Sequence, residues 1–382
     1  MSEITSNISL TLDGSTSLTV GGDPHQWFDR GLGFLNVSAS GAVRTITLTF
    51  SNEGWKAGVL RFDGDTRLVL NDTSTGTSDD DRVFISYIGV ASMGTHSITL
   101  KNADVDLVHG GSGSENVSIG YWVGHLNLNR GDDKVTLTGT GEAGDISFGR
   151  GDDILKTGSN GWVGTVNAAH GEDTVYLGKR GAEYINLGKD ADTIVLKPLS
   201  DPFQPVSLNG GEGVTDAAED DSDTVSFAAF SAGLTIDLNG QYVVRTGSGN
   251  FSLNNFENAT GGKGRDTLIA NDEANLLKGG RGADTFVFES RAAIKGDTIL
   301  DFSQDAKDRI DLSDIDASTK AGGNQAFSFI GTAGFHDQAG ELRYLVKSGD
   351  TRIQGDVNGD GKADFTLVLE GRVDLEAGDF IL

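Results

Sequence analysis

Aspartates in glycine-containing turns recur along the middle of the chain at nearly constant spacing. Four segments align on one turn: LNRGDDKVTL, FGRGDDILKT, AAHGEDTVYL and LGKDADTIVL. The turn aspartates are 20, 20 and 19 residues apart, and glycine stands two places before each of the first three; these residues are Asp133, Asp153, Asp173, Asp192, Gly131, Gly151 and Gly171. Carboxylate and carbonyl oxygens suit a hard cation such as Ca²⁺ better than zinc or copper. If the repeats stack, the spacing predicts a column of calcium sites.

Electrostatics gives a reason for such a cation. Neighbouring strands of stacked coils lie about 4.8 Å apart, and two bare carboxylates at that distance repel by about 3.5 kcal/mol at an effective dielectric constant near 20. The basic residues beside the turns, Arg130, Arg150 and Lys189, are too few to cancel a whole column. The alternative is ordinary Gly-Asp turn chemistry. This alternative to a calcium site stays open for the 20-residue coils, because the second turn of each coil carries no acid at a matching place.

Each 20-residue repeat also contains a second short segment of alternating apolar residues, namely GHLNL, GDISF, GTVNA and EYINL. Two strands and two turns per repeat predict one coil of a parallel β-roll or β-helix. Stacked coils bury a continuous core that one coil cannot bury alone. The predicted inward residues are Leu126, Leu128, Val135, Leu137, Ile146, Phe148, Leu155, Val166, Ala168, Val175, Leu177, Ile185, Leu187, Ile194 and Leu196. Two earlier coils fit more loosely, with Glu115 at the aspartate position.

A tighter repeat follows, in which GGKGRDTLI, ANDEANLLK and GGRGADTFV are consecutive nine-residue units. Two such units form an 18-residue coil. Asp266 and Asp284 then lie on one edge and Asn275 on the other, while Leu268, Leu277 and Phe286 share one inward position.

Composition excludes several classes of protein. The 382 residues include 55 glycines, four prolines and no cysteine, so neither a collagen nor a disulfide scaffold fits. The net charge of −26 disfavours binding to nucleic acid or anionic membranes. No apolar run is long enough to span a membrane, and no ordinary signal peptide is expected at the N-terminus.

The nine-residue units resemble the RTX family, whose glycine-rich nonapeptide binds Ca²⁺ in a parallel β-roll. The resemblance implies calcium ligands at Gly262, Gly264, Asp266, Gly280, Gly282 and Asp284, with a weaker or empty edge at Asn275. The segments GDTILDFSQDAKDRIDLSDIDA and ELRYLVKSGDTRIQGDVNGDGKADFTLVLEG, with DFIL at 379–382, are similar to the C-terminal domain of the serralysin metalloproteases. That similarity implies export by a type I secretion system, which reads an uncleaved C-terminal signal.

The expected fold is therefore all-β, with parallel β-roll or β-helix coils and a C-terminal serralysin-like β-roll and β-sandwich secretion domain. We predict an N-terminal β region or cap over 1–82, a divergent roll of 20-residue repeats over 83–200, and the RTX roll with its secretion domain over 201–382.

One loop, DVNGDGKADF, resembles an EF-hand loop at Asp356, Asn358, Asp360 and Asp364. Leu367 occupies the place where an EF-hand needs a bidentate glutamate. A weak calcium loop and a structural turn are equally compatible with this sequence.

No catalytic motif is evident: HExxH, GxSxG and P-loop patterns are all missing from the sequence. Trp122 and Trp162 occupy the same coil position two coils apart, where they could stack on a polysaccharide or simply pack against turn neighbours. The sequence favours a secreted calcium-binding protein that folds on Ca²⁺ outside the cell and has a non-enzymatic surface, matrix or adhesion role. The alternative is a secreted carbohydrate-active enzyme or effector with its site in residues 1–200.

Overall fold

The computed structural model describes strands 8–12, 16–20, 35–39, 44–50, 56–62, 66–72 and 84–90, and the stretches 93–200, 205–211, 222–240, 243–246 and 249–382. The chain divides into two units, residues 1–192 and 193–382. Of the described residues, only Ala377–Asp379 are helical, in a single 3-10 turn. None of the described segments is a helix long and apolar enough to cross a membrane.

The first unit is built from strands that alternate between two parallel ladders. In chain order they are β1 (Ile8–Leu12), β2 (Thr16–Val20), β3 (Leu35–Ala39), β4 (Arg44–Phe50), β5 (Lys56–Phe62), β6 (Thr66–Asp72), β7 (Phe84–Val90), β8 (His96–Lys101), β9 (Asp104–His109), β10 (Glu115–Ile119), β11 (Trp122–Asn127), β12 (Lys134–Leu137), β13 (Glu142–Arg150), β14 (Ile154–Thr157), β15 (Trp162–His170), β16 (Thr174–Tyr176) and β17 (Ala182–Lys189). Each even-numbered strand pairs in parallel with the next even-numbered one, from the pair β2 and β4 to the pair β14 and β16. Odd-numbered strands from β5 to β17 do the same in a second sheet, and β1 pairs with β3.

This arrangement confirms the predicted coils. Val135 pairs in register with Leu155, and Leu155 with Val175, so equivalent residues of successive repeats lie side by side. All the apolar residues predicted to point inward are buried. Their removal from water supplies the main favourable term, about 25 cal/mol for each Å² of apolar surface.

Described strands on either side of residue 82, where the sequence predicted a boundary, belong to the same two ladders. Strand β5 pairs with β7, and β6 pairs with β8, in the same parallel order as the later coils. Trp27, Trp55 and His25, to which the sequence assigns no particular role, lie outside the described residues. The domain boundaries stay predictions.

The second unit contains strands of two to seven residues. In chain order they are β18 (Thr193–Val195), β19 (Pro205–Gly211), β20 (Thr224–Ser226), β21 (Thr235–Asp237), β22 (Val243–Thr246), β23 (Gly249–Asn254), β24 (Asn258–Thr260), β25 (Thr267–Ile269), β26 (Leu276–Lys278), β27 (Thr285–Val287), β28 (Thr298–Ile299), β29 (Arg309–Asp311), β30 (Ser328–Phe329), β31 (Glu341–Lys347), β32 (Asp350–Asp356), β33 (Phe365–Leu369) and β34 (Phe380–Ile381).

Two parallel ladders again form the roll of the second unit. One contains β18, β20, β24, β26 and β28, and the other contains β21, β25, β27, β29 and β34. Strands β31, β32 and β33 are antiparallel, and β33 joins the first ladder beside β28. Leu268, Leu277 and Phe286 are fully buried, as predicted. The all-β fold of stacked parallel coils is confirmed.

Candidate metal centre

A column of buried acids follows one edge of the first unit. Its members, called the buried acid column, are Glu115, Asp133, Asp153, Asp173 and Asp192, and each is only 1% exposed. In each step, one carboxylate oxygen accepts a hydrogen bond of 2.7 Å from the backbone N–H of the acid one coil earlier. The side chains therefore join successive coils along the stack, which ordinary surface turns would not do.

The second oxygen of these carboxylates has a different environment. Glu115 Oε2 and the Oδ2 atoms of Asp133, Asp153 and Asp173 are buried and have no hydrogen-bond partner. Burial raises the pKa of Asp153 to about 7 and that of Asp173 to about 8. Burial also raises the pKa of Asp133 and of Glu115. A buried oxygen without a partner carries a free-energy cost, which a proton or a cation could relieve.

Glycines bring the turns of neighbouring coils close together beside this column. Gly131, Gly151 and Gly171 have φ angles of +110°, +130° and +115°. A Cβ atom at each would lie 2.2 Å from the carbonyl oxygen of the glycine one coil earlier. Only glycine fits both the conformation and the approach. Backbone carbonyl oxygens consequently lie between the turns, as the sequence predicted.

A second, exposed row of acids accompanies the buried column. Asp132, Asp152 and Glu172 each precede a member of the column and face solvent. Asp132 accepts the N–H of Asp152, and Asp152 accepts that of Glu172, at 3.1 and 2.9 Å. This edge therefore carries two acids in each of these three turns.

The nine-residue units repeat the same hydrogen-bonding pattern. Asp284 Oδ1 accepts the N–H of Asp266 at 2.7 Å. Asp266 accepts the N–H groups of Leu234 and Gly262, at 2.8 and 2.5 Å. Both oxygens of Asp266 are thus satisfied by the protein, unlike the second oxygens in the 20-residue coils.

Glycines again determine the spacing between these turns. Gly280 and Gly282 have φ angles of +93° and +134°. Cβ atoms there would lie 2.3 and 1.8 Å from the carbonyl oxygens of Gly262 and Gly264. The glycines that the sequence predicted as ligands are therefore in direct contact across the coils.

The structure extends both edges with acids that the sequence analysis missed. Asp308 accepts the N–H of Asp284 at 2.9 Å. On the opposite edge, Asp297 accepts the N–H of Asn275 at 2.9 Å, and its second oxygen is buried without a partner. The Gly-Asp pair at 296–297 was a usable signal. Its distance of 22 residues from Asn275, rather than 18, concealed it.

Residues 213–382 match the family model Peptidase M10 serralysin C terminal. The match covers 170 of the 382 residues and includes both nine-residue turns with aspartate, Asp297, Asp308 and the final strand β34. Together with the stacked coils, it fits an RTX-type protein. No curated protein matches the chain.

The residues of the RTX-type region and of the 20-residue coils fit Ca²⁺ in donor type. The aspartate-bearing edge of each repeat type offers carboxylate oxygens and carbonyls of closely stacked glycines, and the buried acid column adds oxygens without partners. Within the described residues, no three acids or histidines converge into a preformed metal cage. Calcium here would depend on backbone carbonyls, which supply part of its usual six to eight ligands.

The EF-like loop is organised differently. Asp356 is fully buried and accepts the N–H groups of Gly359 and Gly361, at 2.6 and 2.9 Å. Asp364 accepts the N–H of Val357 at 2.7 Å and the side-chain amide of Asn358 at 2.7 Å. These carboxylates bind the loop's own N–H groups, as a structural turn requires, and the choice between such a turn and a weak calcium loop stays a prediction.

Trp122 and Trp162 lie in the first unit, on the outer face of the odd-strand sheet. Trp122 pairs in register with Glu142, and Glu142 with Trp162. The two indoles are therefore two strands apart in one row, as the sequence predicted.

Proposed function

We propose that this protein is a secreted, RTX-type calcium-binding protein that completes its folding when it meets Ca²⁺ outside the cell. The observation that carries the proposal is the buried acid column. Four carboxylate oxygens, of Glu115, Asp133, Asp153 and Asp173, are buried without a partner, beside glycine carbonyls that face the next coil. Ca²⁺ would bring opposite charge to oxygens that the protein itself leaves unsatisfied.

The predicted ligands are those of both repeat types. In the 20-residue coils the ligands are Gly131, Asp133, Gly151, Asp153, Gly171, Asp173 and Asp192. In the nine-residue units they are Gly262, Gly264, Asp266, Gly280, Gly282 and Asp284. Extracellular sites bind Ca²⁺ with Kd on the order of 10⁻⁴–10⁻³ M, and at ten times Kd each occupied site adds about 1.4 kcal/mol of stability.

Export by a type I system follows from the match to the serralysin C-terminal family. The position of strand β34 in the folded protein supports the proposal that the chain is exported before it folds. In the folded protein, Phe380 is buried, and its carbonyl accepts a 2.6 Å hydrogen bond from Arg309. A secretion signal in residues 379–382 would be fully accessible before this strand docks, whereas afterwards Phe380 is buried and its neighbours are half-buried.

The downstream role we propose is non-enzymatic, at a surface or in a matrix, with polysaccharide as the partner. One observation favours the alternative of a carbohydrate-active enzyme. His125 Nδ1 lies 2.9 Å from Asp145 Oδ2 on the same face as the tryptophans. The two side chains are 61% and 58% exposed, whereas catalytic pairs usually lie in clefts that exclude water. Turnover of a polysaccharide that His125→Ala abolishes would favour the enzyme.

The calcium proposal is tested by circular dichroism and calorimetry across a Ca²⁺ titration, with Mg²⁺ as control. We expect a substantial rise in Tm with millimolar Ca²⁺ and little with Mg²⁺. The triple variant Asp133→Asn, Asp153→Asn, Asp173→Asn should lose part of that rise. Its matched control neutralises the exposed row, Asp132→Asn, Asp152→Asn, Glu172→Gln, and should keep it. A chelator that leaves Tm unchanged would refute the proposal.

A further inference from the structure

Three outward rows of side chains on strands β11, β13 and β15 form one flat surface, which we call the tryptophan face. The first row is Trp122, Glu142 and Trp162, and the in-register pairs of the other rows follow the same three strands. The second and third rows are His125, Asp145 and Thr165, and Asn127, Ser147 and Asn167. The residues between these rows, such as Val123 and Leu126, are buried.

The outer edge of each indole lies close to a glycine of its own strand. A Cβ atom at Gly124 would be 2.9 Å from Trp122 Cη2, and one at Gly164 would be 3.5 Å from Trp162 Cη2. Each ring therefore extends along its strand over the bare backbone of the glycine two residues later. Both tryptophans are half-buried, so part of each ring is accessible to a ligand.

The separation of the rings is determined by the sheet. Trp122 and Trp162 are two strands apart, which is about 10 Å at the usual strand spacing. In an extended β-1,4-linked chain the centres of alternate sugars, the first and the third, lie a similar distance apart, so at least three linked sugars are needed to reach both rings. Alternate sugars of such a chain can place their C–H faces on the two rings, as apolar faces pack on aromatic ones.

The acids of the tryptophan face already have partners. Arg180 Nη1 forms an ion pair and hydrogen bond with Glu142 Oε1 and also donates to the carbonyl of Asn160. His125 contacts Asp145. The acids of strands β11, β13 and β15 on this face are therefore paired, while the exposed Asp106 of strand β9 lies beside Trp122, with its Oδ1 3.3 Å from the place of a Cβ atom at Gly124; the chitosan oligomer in the test below examines whether it attracts a polycation. The face has no unpaired base for a polyanion, which the net charge of −26 would repel.

The third row supplies groups that suit hydroxyls. Asn127, Ser147 and Asn167 carry amides and a hydroxyl, which both donate and accept hydrogen bonds. Asn167 Oδ1 also accepts a hydrogen bond from the amide of Asn186 on the next strand, at 3.2 Å. This row lies five residues along each strand from the tryptophans, about 16 Å at the usual rise, so a chain that crosses the strands over the two rings does not reach it.

We infer that the tryptophan face binds a neutral, β-1,4-linked polysaccharide lying across strands β11 to β15. The inference rests on the proposed extracellular role, where such polymers are met, and names the class of partner. Its ring contacts come from Trp122 and Trp162, which share one row across the strands with Glu142.

The test is isothermal titration calorimetry of the full chain in 5 mM CaCl₂ with cellohexaose, cellobiose, an alginate oligomer and a chitosan oligomer (concentration chosen as roughly ten times the Kd range given above). Cellohexaose should bind at least tenfold more tightly than cellobiose, which cannot reach both rings. Trp122→Ala with Trp162→Ala should weaken cellohexaose binding at least tenfold. The matched control is Tyr176→Ala, which removes an exposed aromatic from the other sheet and should leave the affinity unchanged.

A measurement on the unaltered chain keeps the inference testable if the double variant does not fold. Cellohexaose should protect tryptophan fluorescence from acrylamide quenching, and cellobiose should protect it less. Equal binding by a folded double variant, no binding of cellohexaose, or tighter binding of the alginate or chitosan oligomer would overturn the inference. So would a change in sedimentation of the folded double variant, since it would make the face a contact between copies. The calcium-induced rise in Tm, read in the same samples, separates failure of this inference from failure of the calcium proposal.

Discussion

Replacing Asp153 by asparagine separates the two roles of a carboxylate in the buried acid column. Asp153 Oδ1 accepts the N–H of Asp133 at 2.7 Å, while Oδ2 is buried without a partner. Asparagine keeps a carbonyl oxygen for that N–H and removes the negative charge. Alanine removes the acceptor as well. The comparison of the two variants therefore distinguishes the hydrogen bond from the charge.

The expected size follows from the burial of the carboxylate. Burial raises the pKa of Asp153 from 3.8 to about 7, and each tenfold change in proton affinity corresponds to about 1.4 kcal/mol. The charged form consequently costs up to about 4 kcal/mol at pH 8 without calcium. An asparagine amide buried without a partner costs about 1–3 kcal/mol. Asp153→Asn should therefore stabilise the calcium-free protein by about 1–3 kcal/mol.

Asp153→Ala should instead destabilise the protein by about 1–3 kcal/mol at pH 5, where the carboxyl is mostly protonated, because the N–H of Asp133 loses its acceptor. The assay is thermal unfolding in EGTA at pH 5 and pH 8, followed by the same melts in Ca²⁺. The gain of Asp153→Asn should vanish at pH 5, and its calcium-induced rise in Tm should be smaller than that of the unaltered chain. Asp152→Asn, one residue away but exposed, should change the stability by less than about 0.5 kcal/mol. If Asp153→Asn destabilises the calcium-free protein at pH 8 as much as Asp153→Ala does, the reasoning about the buried charge is wrong.

Three further outcomes are expected. In EGTA, Tm should fall as the pH rises from about 4 to 8. Burial raises the pKa values of Asp153 and Asp173 to about 7 and 8, so over this range the folded chain holds protons that the unfolded chain has released. A Tm that rises with pH would contradict this prediction. In urea unfolding, Gly282→Ala should lower the free energy of unfolding by at least about 2 kcal/mol more than Gly349→Ala does. Both positions have a positive φ, but only a Cβ atom at 282 would meet a carbonyl oxygen, at 1.8 Å. Equal losses would show that the coils can move apart. Asp356→Ala should lower the free energy of unfolding by about 1–3 kcal/mol, because the N–H groups of Gly359 and Gly361 lose their acceptor. The calcium-induced rise in Tm should stay unchanged. Loss of that rise would make this loop a calcium site.

The sequence predicts this fold well where the repeat length is constant. Val135, Leu155 and Val175 lie 20 residues apart and are adjacent in the sheet. Prediction fails where the repeat length changes. Asp297 follows Asn275 by 22 residues and Asp308 follows Asp284 by 24, because longer turns intervene, so neither was recognised as a member of its edge.

The position of the aspartate side chains could be predicted only in part. Spacing alone placed Asp133 and Asp153 in one column, and the structure agrees. The sequence does not reveal that each carboxylate accepts the N–H of the previous acid, since this depends on a side chain that folds into the coil. Repulsion between neighbouring carboxylates is therefore only one contribution to the stability of the column, because each carboxylate also accepts a charge-assisted hydrogen bond.

The two oxygens of each carboxylate explain how one residue can serve both the fold and a cation. The Oδ1 atoms of Asp133, Asp153 and Asp173 bind N–H groups of the preceding coil and need no ion to do so. Their Oδ2 atoms have no partner, and a proton and Ca²⁺ would compete for them. Metal binding to such groups releases protons, so the stability contributed by Ca²⁺ must grow as the pH rises and protons leave these oxygens. The hydrogen bonds join the coils along the column, and under the proposed function the unpartnered oxygens would make its stability depend on external Ca²⁺.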